Sequence, residues 1–176
     1  MANSTLKDII QGLIDTDTTL IERVLRGSGT YAILDINTPG RGGSGSIESD
    51  AGASHNKACV ITTSSSSSAC MYSGVFPEIK YGHYAICARM KVSNLTSSNL
   101  IQLKLFNGNT LIKSQDYKGT AFASTSQYDY IYTTFNYEGS TTKQDLRLEV
   151  HVHAINSVVV KFDYAYISMI IPSVFI

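Results

Sequence analysis

Tryptophan is missing from this chain of 176 residues, and charge is scarce. Only 16% of residues are Asp, Glu, Lys or Arg, and the two signs balance at 14 each. Such balance leaves no electrostatic footprint for a nucleic acid or an anionic membrane. No apolar run reaches the roughly 20 residues that a membrane span requires. The near-terminal ISMIIPSVFI is too short, carries Pro172, and reads as a last strand packed against something else. The opening MANSTLKDII has no basic stretch leading into an apolar one, so no secretory signal is read there. The three cysteines, Cys59, Cys70 and Cys87, are odd in number and irregular in spacing. That argues against a disulfide framework and against a zinc site. Cys59 and Cys70 flank what reads as one hairpin, so pairing between them stays open, whereas Cys87 reads as an inert small side chain.

Enzyme signatures are equally thin. There is no G-x-S-x-G elbow, no phosphate-binding loop and no E-x-D-x-E-like strand. Glu48 and Asp50 are paired carboxylates of the kind a glycosidase needs. They fall in a Gly/Ser-rich loop, where positioning would be poor, so the chain is read as non-catalytic.

What is present is alternation. Tyr81 to Val92 (YGHYAICARMKV) places Tyr84, Ile86, Ala88, Met90 and Val92 on one face. His83, Ala85, Cys87, Arg89 and Lys91 lie on the other. Period-two alternation marks a strand with one face in a core and one toward solvent or a ligand. Further strands are expected at Thr30 to Asn37, Lys57 to Thr63, Ala69 to Ser73, Leu100 to Phe106, Leu111 to Ser114, Tyr128 to Tyr137, Leu146 to Ile155 and Val158 to Ile167. Lys57 to Thr63 and Ala69 to Ser73 flank the serine run Ser64 to Ser68 and read as a hairpin. Asn107-Gly108-Asn109 marks a tight turn, and Asn156-Ser157 joins the last two strands. The stretch TPGRGGSGSIESDAGASHN has nothing to bury and reads as a flexible or surface-wrapping loop. Eight or nine strands without an internal helix give an all-β class, a jelly-roll β-sandwich over 28–176.

Residues 1–27 read differently, as an α-helical stalk. Ser4 or Thr5 can cap a helix over 5–26, and Asp8 suits its first turn. Leu6, Ile10, Leu13, Asp17, Leu20 and Val24 repeat at alternating spacings of four and three, the seam of a coiled coil. Ile9, Ile14, Ile21 and Leu25 widen the stripe, which suggests three strands or docking onto a body. Asp17 would help set register. The alternative is an amphipathic helix lying on its own domain.

The strand residues carry a resemblance. Gly82, Tyr84, Arg89, Lys91 and Ser93 fit a GxYxxxxRxKxS strand; Tyr128 and Phe135 fit YxxxxxxF; Asp163, Tyr164 and Ile167 fit VxxDYxxI. Together they resemble the jelly roll of carbohydrate-binding modules. Joined to a short coiled coil, the arrangement resembles the receptor-binding head of a phage tail fibre. The resemblance implies a homotrimer held in a larger tail or fibre assembly through the N-terminal helix. It also implies a cell-surface glycan as partner, a virion location, and assembly in the host cytoplasm. The rival readings are a structural trimeric fibre or baseplate connector, and a trimeric jelly roll that binds protein.

Tyr (11) outnumbers Phe (6), and tyrosine offers a flat apolar ring with a polar tip. Tyr128, Tyr130 and Tyr132 share one strand face, opposite Ile131, Thr133 and Phe135. Arg147, Glu149, His151 and His153 share another, opposite Leu146, Leu148, Val150 and Val152. If these faces adjoin His83, Arg89, Gln102 and Lys104, the chain has a surface of rings, ring nitrogens and forked donors suited to a pyranose. The candidate ligand-binding residues are therefore His83, Arg89, Gln102, Lys104, Tyr128, Tyr130, Tyr132, His151 and His153. His151-x-His153 could share a metal ion, but no further ligand is apparent and none is assigned. Asp163 could ligate a structural calcium, yet no clustered acidic run supplies the other oxygens. Bonding to a neighbouring strand's polar groups is the better reading, and no cofactor is assigned.

Overall fold

The computed structural model describes residues 32–76, 82–137 and 146–169. The expected stalk helix, with Leu6, Ile10, Leu13, Asp17, Leu20 and Val24, lies outside them. Among the described residues ten strands form two sheets: β1 (Ala32–Asp35), β2 (Ser46–Ser49), β3 (Lys57–Thr62), β4 (Ala69–Val75), β5 (Gly82–Val92), β6 (Asn99–Asn107), β7 (Thr110–Lys118), β8 (Asp129–Tyr137), β9 (Leu146–Val152) and β10 (Val159–Met169). Six of them make one sheet, in the order β2-β3-β10-β5-β8, with β1 alongside the second half of β10. The other sheet runs β4-β9-β6-β7. All pairings are antiparallel.

Alternation explains the core. Tyr84, Ile86, Ala88, Met90 and Val92 of β5 point inward, as their spacing predicts, and meet Leu148, Val150 and Val152 of β9 and Leu103 and Leu105 of β6 in one buried cluster. Burying a side chain of this size contributes about 1.5–3 kcal/mol, so a wrong register would be costly on every strand at once.

The outward face of β5 is less open than its sequence suggests. Ala85 and Cys87 are buried, Cys87 within a cluster made by Tyr130, Tyr164 and Tyr166. The tight turn after β6 is as expected: Asn107 pairs with Thr110, and Gly108 takes φ +57°.

One connection differs from expectation. β3 and β4 are not a hairpin, because β3 belongs to the six-stranded sheet and β4 to the other. Each has apolar side chains to bury, Cys59 on β3 and Met71 on β4, and both reach the shared core only when the strands lie in opposite layers. The Asn156-Ser157 turn joins β9 to β10 as expected, and carries the chain from one sheet to the other.

The Gly/Ser-rich stretch is also more ordered than its composition implies. It contains β2 and a turn whose Ala53 is buried against Ala58 and Val60. Its glycines allow backbone to approach backbone. Gly43, at φ +106°, lies where a Cβ would sit 2.6 Å from the Met71 carbonyl oxygen. Gly42 and Ser73 exchange backbone hydrogen bonds of 2.9 Å, which ties this stretch to β4.

Candidate functional site

Pairing within the six-stranded sheet lines up its outward side chains in rows. Arg89 on β5 lies between Tyr164 on β10 and Tyr130 on β8, and Cys87 lies between Tyr166 and Tyr132. A bulge in β10 between Phe162 and Tyr164 shifts the alternation. Such a bulge re-aims side chains, and both Tyr164 and Tyr166 end up beside Cys87 and Tyr130 rather than in the main core.

The bulge residue Asp163 is 1% exposed, the one carboxylate among the described residues buried so deeply. A buried charge needs partners, and this one has them. Arg89 Nη1 donates to Asp163 Oδ2. Ser54 donates its backbone N–H at 3.1 Å and its hydroxyl at 2.7 Å. With both oxygens taken and a guanidinium beside it, Asp163 bonds neighbouring polar groups, the better of the two sequence readings, and the donor set does not suit calcium.

Arg89 binds the whole corner together. Its Nη2 donates to the Gly52 carbonyl at 3.2 Å. Its guanidinium carbon sits 4.6 Å from the centre of the Tyr128 ring and 5.9 Å from that of Tyr164. Lys161 donates to Asp50 Oδ2 at 2.8 Å, and the Tyr128 hydroxyl donates to the same oxygen at 3.2 Å. The Lys161 hydrogen bond, chief among several, holds the Asp50 carboxyl below its ordinary 3.8 against the opposing effect of burial. The turn 50–56 is thereby clamped over one end of the sheet face.

The tyrosines lie next to this clamp. The hydroxyls of Tyr130 and Tyr164 share a 2.7 Å hydrogen bond, and their rings meet edge to face. Burial pushes both phenols, and that of Tyr166, upward, so all three stay neutral at ordinary pH. Tyr132 stands apart at 39% exposure. Its backbone carbonyl accepts the Tyr117 hydroxyl of β7 at 2.6 Å, which anchors the backbone of β8 at this position. Beyond it the face continues through half-buried Thr134 to exposed Asn136 and His83, which bond to each other.

Of the candidate residues, the structure brings together His83, Arg89, Tyr128, Tyr130 and Tyr132 on this face. Gln102, Lys104, His151 and His153 do not join them. β6 and β9 belong to the four-stranded sheet, and their outward side chains point to the opposite side of the sandwich. There Gln102 donates to Asp116 Oδ1 at 2.8 Å, and His153 Nε2 contacts the same oxygen at 2.9 Å. His151 Nε2 pairs instead with Glu149 Oε2 at 2.8 Å, and Arg147 donates to Glu149 Oε1 at 3.0 Å. His151 and His153 therefore serve different carboxylates. Ser54, Lys161 and Tyr166 are missed in sequence, and Asp50, read there as half of a carboxylate pair with Glu48, instead bonds Lys161 and Tyr128. The switch of apolar spacing in β10, from Val160 and Phe162 to Ala165 and Ile167, is the available sign of the bulge that places Tyr166.

The other cysteine expectations are settled by geometry. Cys59, Cys70 and Cys87 are free thiols. Cys59 donates to the Met71 carbonyl at 3.3 Å and Cys70 to that of Tyr72 at 3.3 Å.

No protein-family model and no curated protein matches the sequence. Solved structures do match the fold. A family 35 carbohydrate-binding module from Clostridium thermocellum superimposes with a TM-score of 0.53 at 14% identity, over 81% of this chain and 100% of its own. A family 16 carbohydrate-binding module gives a TM-score of 0.52 at 11% identity, over 72% of this chain and 86% of its own. The enzymatically active domain of tailspike protein 4 of bacteriophage CBA120 gives 0.50 at 9% identity, over 80% of this chain but 19% of its own. The sandwich thus has the fold of carbohydrate-binding modules, the resemblance expected from its strand residues.

Proposed function

We propose that the chain is a non-catalytic carbohydrate-binding module that takes a glycan across the tyrosine-bearing face of its six-stranded sheet. One observation carries the reading: an exposed ring, Tyr132, stands on the same sheet face as the packed Tyr130, Tyr164 and Tyr166. A rigid, flat, half-apolar surface is what a pyranose ring stacks on, and the neighbouring Thr134, Asn136 and His83 offer donors and acceptors to its hydroxyls. The fold likeness to carbohydrate-binding modules supports the class of ligand. Asp50 is committed to Lys161, Tyr128 and the Gly52 N–H, which favours binding over hydrolysis.

A glycan-array screen of the full chain, followed by calorimetry on the best ligand, tests this. Tyr132→Ala is expected to weaken binding about tenfold or more, the usual cost of truncating a central aromatic contact. Lys104→Ala, on the opposite sheet, is expected to leave affinity unchanged. Loss of binding with Lys104→Ala but not with Tyr132→Ala would move the site to the other face. Absence of binding to any glycan would end the reading.

The assembly is part of the same proposal. The seam of Leu6, Ile10, Leu13, Asp17, Leu20 and Val24 supports a homotrimer joined to a larger fibre, and the likeness to a phage tailspike domain supports a virion setting. Three weak sites on one stalk gain avidity. Light scattering should find a trimer for the full chain and a monomer for a chain starting at Ser28. Two monomers would remove the stalk, and two trimers would move assembly into the sandwich.

A further inference from the structure

On the outer face of the four-stranded sheet, the register of β4 against β9 sets Cys70 directly opposite His151, and Glu149 lies two residues along the same strand. Paired and next-but-one positions share a face. The Cys70 Sγ, a Glu149 carboxylate oxygen and a His151 ring nitrogen all lie within 4.8 Å of one another, and all three residues are half-buried. We propose that Cys70, Glu149 and His151 form a binding site for a zinc-class divalent cation, with its fourth position open to solvent.

The donor set fits that cation. One thiolate, one imidazole and one carboxylate are the ligands zinc selects, and three protein ligands with one open position form a recurrent arrangement. Around a tetrahedral zinc the ligand atoms would stand about 3.5 Å apart, so small side-chain rotations close the site. His151 Nε2 and Glu149 Oε2, now bonded to each other at 2.8 Å, would each turn to the metal. Arg147 would keep its 3.0 Å bond to Glu149 Oε1, holding the carboxylate in place as outer partners of metal ligands do.

The site is not free of opposition. Lys104 on β6 lies opposite Glu149, and Arg147 is beside it, so two cations face the metal. Burial, then the charge of Glu149, pushes the Cys70 thiol up. Binding must therefore displace the thiol proton, leaving a metal–thiolate bond and one proton released to solvent. His153 does not contribute, since it is held by Asp116.

Cobalt(II) titration of the tag-free full chain reads the site directly. The expected result is one equivalent bound, a thiolate-to-cobalt charge-transfer band, tetrahedral visible bands, displacement by zinc, and release of a proton. Cys70→Ser should abolish the charge-transfer band. His151→Gln, which leaves every thiol intact, should weaken cobalt binding at least tenfold while the metal-free melting temperature stays near that of the parent. No charge-transfer band in the parent chain would overturn the proposal. An unchanged band in Cys70→Ser, or unchanged affinity in His151→Gln, would do so as well.

Discussion

Arg89→Met is the sharpest perturbation of the sheet face. It leaves Asp163 with no opposite charge in a place where the carboxylate side chain is 0% exposed, whereas Arg89 itself is 22% exposed. Removing one partner of a buried pair costs about 3–5 kcal/mol. The low end applies here, because Ser54 still donates to Asp163 from its backbone and its hydroxyl. The lost guanidinium also opens a route for water. A cost of about 3 kcal/mol is a large share of a domain stability of about 5–15 kcal/mol. At a urea slope of about 1–3 kcal/mol per molar it lowers the unfolding midpoint by roughly 1 M or more, with the slope unchanged. Asp163→Asn on its own should also destabilise, because its amide group would face the guanidinium. The double variant removes both charges and should be more stable than the sum of the single losses allows, by roughly 1–3 kcal/mol of coupling. A cost below about 1 kcal/mol for Arg89→Met would be that of an exposed pair. That result, or additivity in the double variant, would refute the placement of Asp163 in a water-excluded corner.

Other outcomes follow from the same geometry. Asp50 has a folded pKa below its ordinary 3.8, so its contribution is full above that value and is lost as pH falls through the lower, folded one. Lys161→Met should cost about 1 kcal/mol at pH 7, and the gap to the parent protein should close in acid melts; a gap that persists there would contradict the assignment. Cys59 and Cys87 are buried thiols pushed up to about 11, so Ellman's reagent should find Cys70 alone reactive in the native protein and all three after urea. Two fast thiols would contradict the burial. Gly43→Ala should lower stability by about 2–3 kcal/mol, because φ +106° and a Cβ 2.6 Å from the Met71 oxygen leave no room for the methyl group. Met90→Ala should cost about 2–5 kcal/mol by opening a cavity in the core. Urea melts check both.

Local alternation carried much of the fold. The inward sets of β5, β8 and β9 can be read residue by residue, from Tyr84 to Val92, Ile131 to Phe135 and Leu146 to Val152, because a half-buried strand imposes a period of two. Sheet membership is not written in that period. Arg89 and Lys104 alternate in the same way, yet they emerge on opposite sides of the sandwich, because only the pairing of their strands assigns each to a sheet. The β3–β4 connection is hidden for a related reason: two short strands joined by serines look alike whether they pair or cross between layers. Ala53 and Ser54 looked like loop filler, and only Asp163, far along the chain, gives them something to bind. The nearness of Cys70 to His151 is equally non-local, since it depends on β4–β9 register.

Glycan recognition on the tyrosine face is tested most directly by mapping backbone amide shifts while the full chain is titrated with its best array ligand. Shifts should gather on β5, β8 and β10, around Cys87, Tyr132, Thr134 and Tyr166, and should vanish in Tyr132→Ala. Shifts gathering instead around Gln102, Lys104 and His151, or no shifts with any glycan, would contradict it.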